Sequence, residues 1–225
     1  NNPTGKVFTQ TELEDIARLC IQWDCLAITD EIYEHIVYEN ERHVSIAALA
    51  GMADRTVTIN SLSKTYSVTG WRVGWALART DITHRIRKVH DFLTVGAPTP
   101  FQKAGVCALN LEETYYETLR SRYVQARDRL CQALLDTGFN LELPKGAYYI
   151  MADADCLMDR VRADNAYDFS LKLIQLAGIA TVPGTAFYHR PEMGNNQLRF
   201  CFAKSTATLD EICSRLNKMK TMVKA

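Results

Sequence analysis

Lys64 and Arg72 stand eight residues apart in the stretch Ser61-Leu62-Ser63-Lys64-Thr65-Tyr66-Ser67-Val68-Thr69-Gly70-Trp71-Arg72-Val73-Gly74-Trp75. A lysine among hydroxyls is a candidate Schiff-base former, because an aldehyde held beside it condenses with its amine. An arginine in the company of Trp71, Val73 and Trp75 calls for a fixed anion, since an unpaired buried charge is costly. A molecule carrying both an aldehyde and a phosphate satisfies the two together, and pyridoxal 5′-phosphate (PLP) is such a molecule. On spacing alone, a surface lysine in a Ser/Thr loop with an arginine paired to a carboxylate fits as well. A second arginine, Arg199, sits in Leu198-Arg199-Phe200-Cys201-Phe202-Ala203. Strand alternation sets it with Cys201 and Ala203, away from the Leu198, Phe200 and Phe202 face. Its guanidinium suits a substrate carboxylate or, equally, a carboxylate on a neighbouring helix.

Elements must hold these groups in place. Thr56-Val57-Thr58-Ile59 is a short apolar run that reads as a buried strand and stops at Asn60-Ser61. Cys25-Leu26-Ala27-Ile28-Thr29 is a second, typical of a parallel strand, and ends in Asp30-Glu31-Ile32-Tyr33. A helix before it is signalled by the capping box Thr9-x-x-Glu12 and by Leu13, Ile16, Ala17, Cys20 and Trp23 at helical spacing. Residues Arg72 to Ala78 predict a third strand, antiparallel if Gly70 makes a tight return. Strand–helix–strand order argues an α/β domain. In such sheets ligands gather beyond the carboxyl ends of the strands, where Asp30, Tyr33, Ser61 and Lys64 all fall.

Further on, a helix begins near Asp81 and Gly96-Ala97-Pro98-Thr99-Pro100 breaks it. A helical pattern then runs from Phe101 to about Asp136, ended by Gly138, with Asn110-Leu111-Glu112 as a point of interruption. Unbroken, it would be about 50 Å long and could join two domains. After Gly138 the texture changes. Strands are expected at Ala147–Met151, Ile179–Val182 and Leu198–Ala203. Helices are expected from Ala166 to Ala177 and after a cap at Thr208-x-x-Glu211. These read as a small α+β domain.

Bulk properties exclude several classes. The chain has 225 residues, 47% hydrophobic and 23% charged, as in ordinary globular proteins. Lys+Arg and Asp+Glu are both 26, so there is no electrostatic footprint for nucleic acid or for a membrane surface. No apolar run reaches the roughly 18 residues that span a bilayer. The seven cysteines include no C-x-x-C pair and mostly fall in apolar runs, which predicts buried thiols of a reducing compartment. The five histidines show no metal-ligand spacing, and no metal site is expected.

Four blocks then resemble one family. Asn1-Asn2-Pro3-Thr4-Gly5, Asp30-Glu31-Ile32-Tyr33, Ser61-Leu62-Ser63-Lys64 with Gly70-Trp71-Arg72-Val73-Gly74, and Leu198-Arg199-Phe200 look like the ordered signature of the class I/II PLP-dependent aminotransferases of fold type I. Ile28 to Tyr33, Thr69 to Trp75 and Arg199 to Phe202 are most similar to the kynurenine/glutamine/methionine type and to broad-range aspartate and aromatic aminotransferases.

The resemblance implies roles. Lys64 holds PLP and then moves the substrate Cα proton. Asp30 faces the pyridine nitrogen, and Asn2 and Tyr33 bind the ring's 3′ oxygen. Ser61, Ser63 and Arg72 hold the phosphate, while Arg199, with Asn2, binds the substrate carboxylate. Gly70 and Gly74 are read as places of close backbone approach. The fold implied is α/β, with part of the PLP-binding large domain, a mixed sheet with helices, at 1–100. A long interdomain helix follows at 101–137 and a complete small α+β domain at 138–225.

The family's first large-domain strands, its glycine-rich phosphate turn and its cofactor-stacking aromatic precede the Asn-Pro-Thr-Gly turn. The resemblance therefore implies a C-terminal portion, whose own activity is open. It also implies amino-acid and 2-oxo-acid substrates and a homodimer, and with no visible signal peptide the expected compartment is the cytoplasm. Two alternatives stand beside transamination: a PLP-dependent cysteine-conjugate β-lyase or cyclising synthase on the same fold, and a non-catalytic truncated product.

Overall fold

The computed structural model of the chain describes residues 1–39 and 41–223. It divides into two compact units, Val7–Leu119 and Asn1–Lys6 with Arg120–Ala225. The division falls inside a helix.

In the Val7–Leu119 unit, α1 (Gln10–Gln22) starts at the predicted capping box: Thr9 accepts from the Glu12 N–H, and the Glu12 carboxylate accepts from the Thr9 N–H. Its Leu13 and Ala17 pack with Ile46 and Met52, and Cys20, Ala27, Val44 and Leu49 close round them. The sheet is three-stranded, in the order β1 (Ala27–Asp30), β2 (Thr56–Ser61), β3 (Gly74–Leu77). β1 and β2 run parallel, with Asp30 opposite Ile59, and β2 and β3 run antiparallel, with Ser61 opposite Gly74. The mixed sheet expected from sequence is therefore present. β3 starts two residues later than predicted because Arg72 has φ +53°, a left-handed conformation that no strand continues through.

α2 (Thr80–Leu93) and α3 (Thr99–Leu109) follow, and α4 (Glu113–Thr137) starts after a break. The helical pattern read over 101–137 is thus two helices, broken at the Asn110-Leu111-Glu112 interruption read from the sequence, and not one continuous interdomain helix. Asn110 ends α3 by donating its side-chain amide to the Val106 carbonyl, at 2.7 Å, while its own backbone N–H reaches back to Cys107.

In the second unit the sheet is four-stranded and antiparallel, ordered β4 (Asn140–Leu141), β5 (Tyr149–Asp153), β7 (Gln197–Cys201), β6 (Val182–Pro183). α5 (Asp155–Val161), α6 (Ala166–Ala177) and α7 (Thr206–Val223) complete it. α6 has the predicted bounds. The β5 strand begins two residues late because Ala147 takes φ +57°. β6 carries Pro183, which an edge strand tolerates because one side of its backbone needs no partner.

The last helix is capped by Ser205, whose hydroxyl accepts from the Thr208 N–H at 3.2 Å. That replaces the predicted cap at Thr208: an eligible hydroxyl came earlier in the chain and started the helix there. The core is as alternation predicted, with Leu198, Phe200 and Phe202 all buried, and Phe200 edge-on to Phe139.

The cysteines depart from expectation. Cys131 is buried, and its burial pushes its thiol up to about 12. Cys25, Cys107 and Cys156 are exposed and Cys20, Cys201 and Cys213 half-buried, all with free thiols. An apolar run shows hydrophobicity but not which of its faces another element covers. Among the described residues, no helix is long and apolar enough to cross a membrane.

Candidate active site

Lys64 lies in the turn that follows β2. The turn is tied by its own backbone and side chains: Leu62 N–H to Val73 O, Tyr66 N–H to Leu62 O, Ser67 N–H to Lys64 O, and Thr69 Oγ1 to Ser63 O. Ser61 Oγ accepts from the Ser63 N–H at 3.1 Å, which leaves its own proton to donate elsewhere. Ser63 is buried and Lys64 half-buried. Arg72 is exposed, and its strained φ holds it at the mouth of the same turn, where one N–H donates to the Thr69 carbonyl at 2.9 Å. Among the described residues no carboxylate pairs with Arg72, which removes the simple ion-pair reading. Gly74 earns its place by packing, since a Cβ there would come within 2.8 Å of the Asn60 carbonyl oxygen across the ladder. Gly70 does not: nothing lies within 4 Å of where its Cβ would be. The expected close approach holds at Gly74 alone.

These residues line one open cavity of about 1060 Å³. Ser61, Ser63, Lys64 and Arg72 share it with Thr69, and with Thr83, Arg87 and His90 of α2. No aspartate or glutamate is among its described lining residues. A concavity with three fixed cations and several hydroxyls, and without an acid, is chemistry for a multiply charged anion. Arg87 and His90 were missed by the sequence reading. The signal was available: Thr83, Ile86, Arg87 and His90 recur at helical spacing on one face.

The end of β1 is braced by two glutamates. Glu31 is buried, and its carboxylate accepts from Thr29 Oγ1 (2.9 Å) and Ser45 Oγ (2.8 Å) and is hydrogen-bonded to His43 Nε2 (2.8 Å). Burial alone would raise its pKa; the hydrogen bonds from His43, Ser45 and Thr29 outweigh it and hold the carboxyl below its ordinary value. Glu34 Oε1 accepts from Asn60 Nδ2 at 2.6 Å, tying the segment to the end of β2. Between them Asp30 is exposed, with one carboxylate oxygen accepting from the Ile32 N–H, and Tyr33 is half-buried. Asp30 and Ile59 are register partners, so Asp30 and Ser61 lie on one face of the sheet at adjacent strand ends.

Asn2 and Arg199 belong to the second unit. Arg199 Nη1 donates to Asn2 Oδ1 at 2.7 Å. Its guanidinium carbon lies 4.2 Å from the Tyr149 ring centroid and 4.8 Å from that of Phe187, a cation held on aromatic faces rather than among small residues alone. Arg199 Nε is buried without a hydrogen-bond partner among the described residues. A buried guanidinium N–H left open in this way fits an anionic ligand. The turn that presents Asn2 is anchored by the Gly5 carbonyl, which accepts from the Lys145 and Gly146 N–H groups. Gly5 has φ +70°, and a Cβ there would collide with Pro144. Buried Arg127 in turn donates to the Pro144 carbonyl at 3.1 Å. The two sets of predicted residues are thus each assembled, Lys64 with Ser61, Ser63 and Arg72 in one unit and Asn2 with Arg199 in the other.

The family model for aminotransferase class I and II matches residues 1–216. The chain belongs to that family. It is 36% identical to rat kynurenine–oxoglutarate transaminase 1, across 99% of this chain and 56% of the relative. Among solved structures, N-succinyldiaminopimelate aminotransferase from Mycobacterium tuberculosis superposes with a TM-score of 0.90 at 35% identity, covering 97% of this chain and 56% of that one. Aromatic aminotransferase from Pyrococcus horikoshii OT3 gives 0.88 at 34%, covering 99% and 58%. The α/β class expected from sequence is the fold of these aminotransferases. The chain spans a little over half the length of the relatives it matches.

Proposed function

We propose that this chain acts as a PLP-dependent aminotransferase, moving the amino group of an L-amino acid to a 2-oxo acid. The observation that carries the reading is the acid-free cavity in which Lys64 stands with Ser61, Ser63 and Arg72. The donor set fits PLP: two hydroxyls and a guanidinium for a phosphate dianion, and an amine for an aldehyde.

PLP, when bound, supplies an aldehyde that condenses with amines and a ring that accepts the electrons of a weakened Cα–H bond. The rest falls to side chains of this protein. Lys64 would hold the aldehyde of the cofactor through its amine, and would be the base that takes the substrate Cα proton and returns it. Asp30, exposed at the end of β1, would face the ring nitrogen and keep a proton on it, as the family resemblance implies. The family resemblance assigns the ring oxygen to Tyr33 and Asn2, which would donate or accept hydrogen bonds there. Arg199 binds the substrate carboxylate and so fixes which bond at Cα is broken.

Substrates of aromatic, kynurenine, methionine or aspartate type agree with the names of similar proteins, and glutamine type with the family resemblance. We place the enzyme in the cytoplasm, in keeping with seven free thiols, and as a homodimer, as the family resemblance implies. Sedimentation of the purified protein checks the second point.

The test is borohydride reduction of the chain with PLP, followed by peptide mapping and a panel of amino acids with 2-oxo acids. The expected result is a pyridoxyl label on Lys64 and a new amino acid formed from the oxo acid. Label on other lysines only would overturn the reading. Pyruvate and ammonia from a cysteine conjugate, with no transamination, would replace it by β-elimination.

A further inference from the structure

The turn that carries Lys64 is held from outside as well as from within. Tyr115 and Tyr116, in the first turn of α4, both reach it. Tyr115 donates its hydroxyl to the Thr65 carbonyl at 2.8 Å, one residue past the lysine. The Tyr116 hydroxyl is 2.7 Å from that of Tyr66, two residues past it. Thr65 and Tyr116 are buried, so neither bond is replaced by water without cost. Burial, then the Tyr116 hydrogen bond, pushes the Tyr66 phenol upward, so the Tyr66 hydroxyl keeps its proton at neutral pH. The rings agree with the hydroxyls: Tyr66 stacks on Tyr115 with centroids 5.7 Å apart, and Tyr115 and Tyr116 meet edge-on at 5.4 Å.

Tyr116 also faces the other strand end. Its ring lies 4.4 Å from that of His35, whose Nε2 is 3.4 Å from Glu34 Oε1, and Glu34 is the acceptor for Asn60. One tyrosine therefore joins the turn after β2 to the segment after β1. The break at Asn110-Leu111-Glu112 is what lets α4 start where its first turn can reach both.

We propose that Tyr115 and Tyr116 are positioning residues for Lys64, fixing the turn against the Glu34–His35 segment that follows β1 so that the amine is presented to PLP in one orientation. This rests on the reading of Lys64 as the PLP-bearing lysine. A 1 Å displacement of a reacting group costs on the order of a hundredfold in rate, so a clamp on the lysine's own backbone has consequences for chemistry as well as stability.

The variants Tyr115→Phe and Tyr116→Phe remove one hydroxyl each and keep the rings. Two measurements are made on each. The first is amide hydrogen exchange without PLP. Tyr115→Phe is expected to speed exchange at Tyr66 and Ser67 about tenfold, with amides of β2 unchanged. The second is the PLP concentration for half-maximal borohydride labelling of Lys64, expected to rise about tenfold. Because Tyr66 and Tyr116 share one bond, Tyr66→Phe with Tyr116→Phe should cost less than the sum of the two singles.

Unchanged exchange at Tyr66 and Ser67 overturns the clamp. Faster exchange with unchanged labelling overturns the positioning role while leaving Lys64 as assigned. Absence of any Lys64 label in the unaltered protein removes the assignment of Lys64 and the positioning role with it.

Discussion

The two sheets of this protein handle their faces differently. In the second unit, β5 and β7 bury Ile150, Ala152, Leu198 and Phe200 almost completely. In the Val7–Leu119 unit, Ile28 is 71%, Leu77 61% and Ile59 41% exposed. The first kind of sheet is held by side-chain packing. The second relies at its strand ends on polar ties: Glu31 with Thr29, Ser45 and His43, Glu34 with Asn60, Thr69 with Ser63, and Tyr115 with Thr65. A hydrogen bond fixes direction where hydrophobic contact only fixes proximity. Groups that must point at a ligand are accordingly found where hydrogen bonds set the backbone, and the lysine, serines and Arg72 are all there.

That contrast can be broken by substitution. The largest effect belongs to Lys64→Ala, expected to lower transamination on the order of a thousandfold or more and to abolish the borohydride label. Its melting temperature should stay near that of the parent, since Lys64 is only half-buried. A large fall in melting temperature would put Lys64 among the structural groups and erase the distinction.

Arg127→Leu tests the packed unit. It removes the buried donor to the Pro144 carbonyl and leaves that oxygen without its guanidinium, at a cost of about 3 kcal/mol by denaturant unfolding. Borohydride labelling of Lys64 should be little altered. Equal loss of labelling and stability would show that the two units do not fail separately.

Glu31→Gln probes the polar bracing, and its effect depends on pH. The folded carboxyl titrates below its ordinary value, so its contribution is present above that value and is lost as pH falls through the folded pKa. At pH 7 the variant should be about 1–2 kcal/mol less stable. The gap should close under acid conditions, once the parent's Glu31 is protonated. A gap that stays constant down to pH 3 would mean that the hydrogen bonds do not distinguish charged from neutral carboxyl.

A pair of glycine substitutions, one of them nearly silent, sharpens the packing of β2 on β3. Gly74→Ala drives a Cβ to within 2.8 Å of the Asn60 carbonyl and should cost about 1–3 kcal/mol, whereas Gly70→Ala meets nothing within 4 Å and should change stability by a few tenths of a kcal/mol. Similar values for the two would show that the ladder yields at this point.

Much of the candidate site's placement was legible because the chemistry proposed for it calls for particular residue types at strand ends. Asp30, Ser61 and Lys64 could be placed by finding where two apolar runs stopped, and Arg199 by the alternation that buried Leu198 and Phe200. Gly70 was misread because a glycine's sequence context does not reveal whether a Cβ would have room. Arg87, His90, Tyr115 and Tyr116 were passed over as ordinary helix residues. Helical spacing puts Arg87 and His90 on one face of α2, but only packing brings that face to the cavity and the first turn of α4 against residues some 50 positions earlier.

The sequence by itself determined the capping box of α1, the bounds of α6, the alternating core of β7 and the order of the motif blocks. Each depends on neighbours within a turn or a strand, and local sterics and hydrogen bonding are encoded there. Only the tertiary structure decided that most cysteines are not buried, and that Arg199 lies on Tyr149 and Phe187 with one N–H open. Those outcomes rest on which faces meet across long separations. Hydrophobic pattern specifies that a face is to be covered and leaves the identity of its cover to the packing of the whole unit.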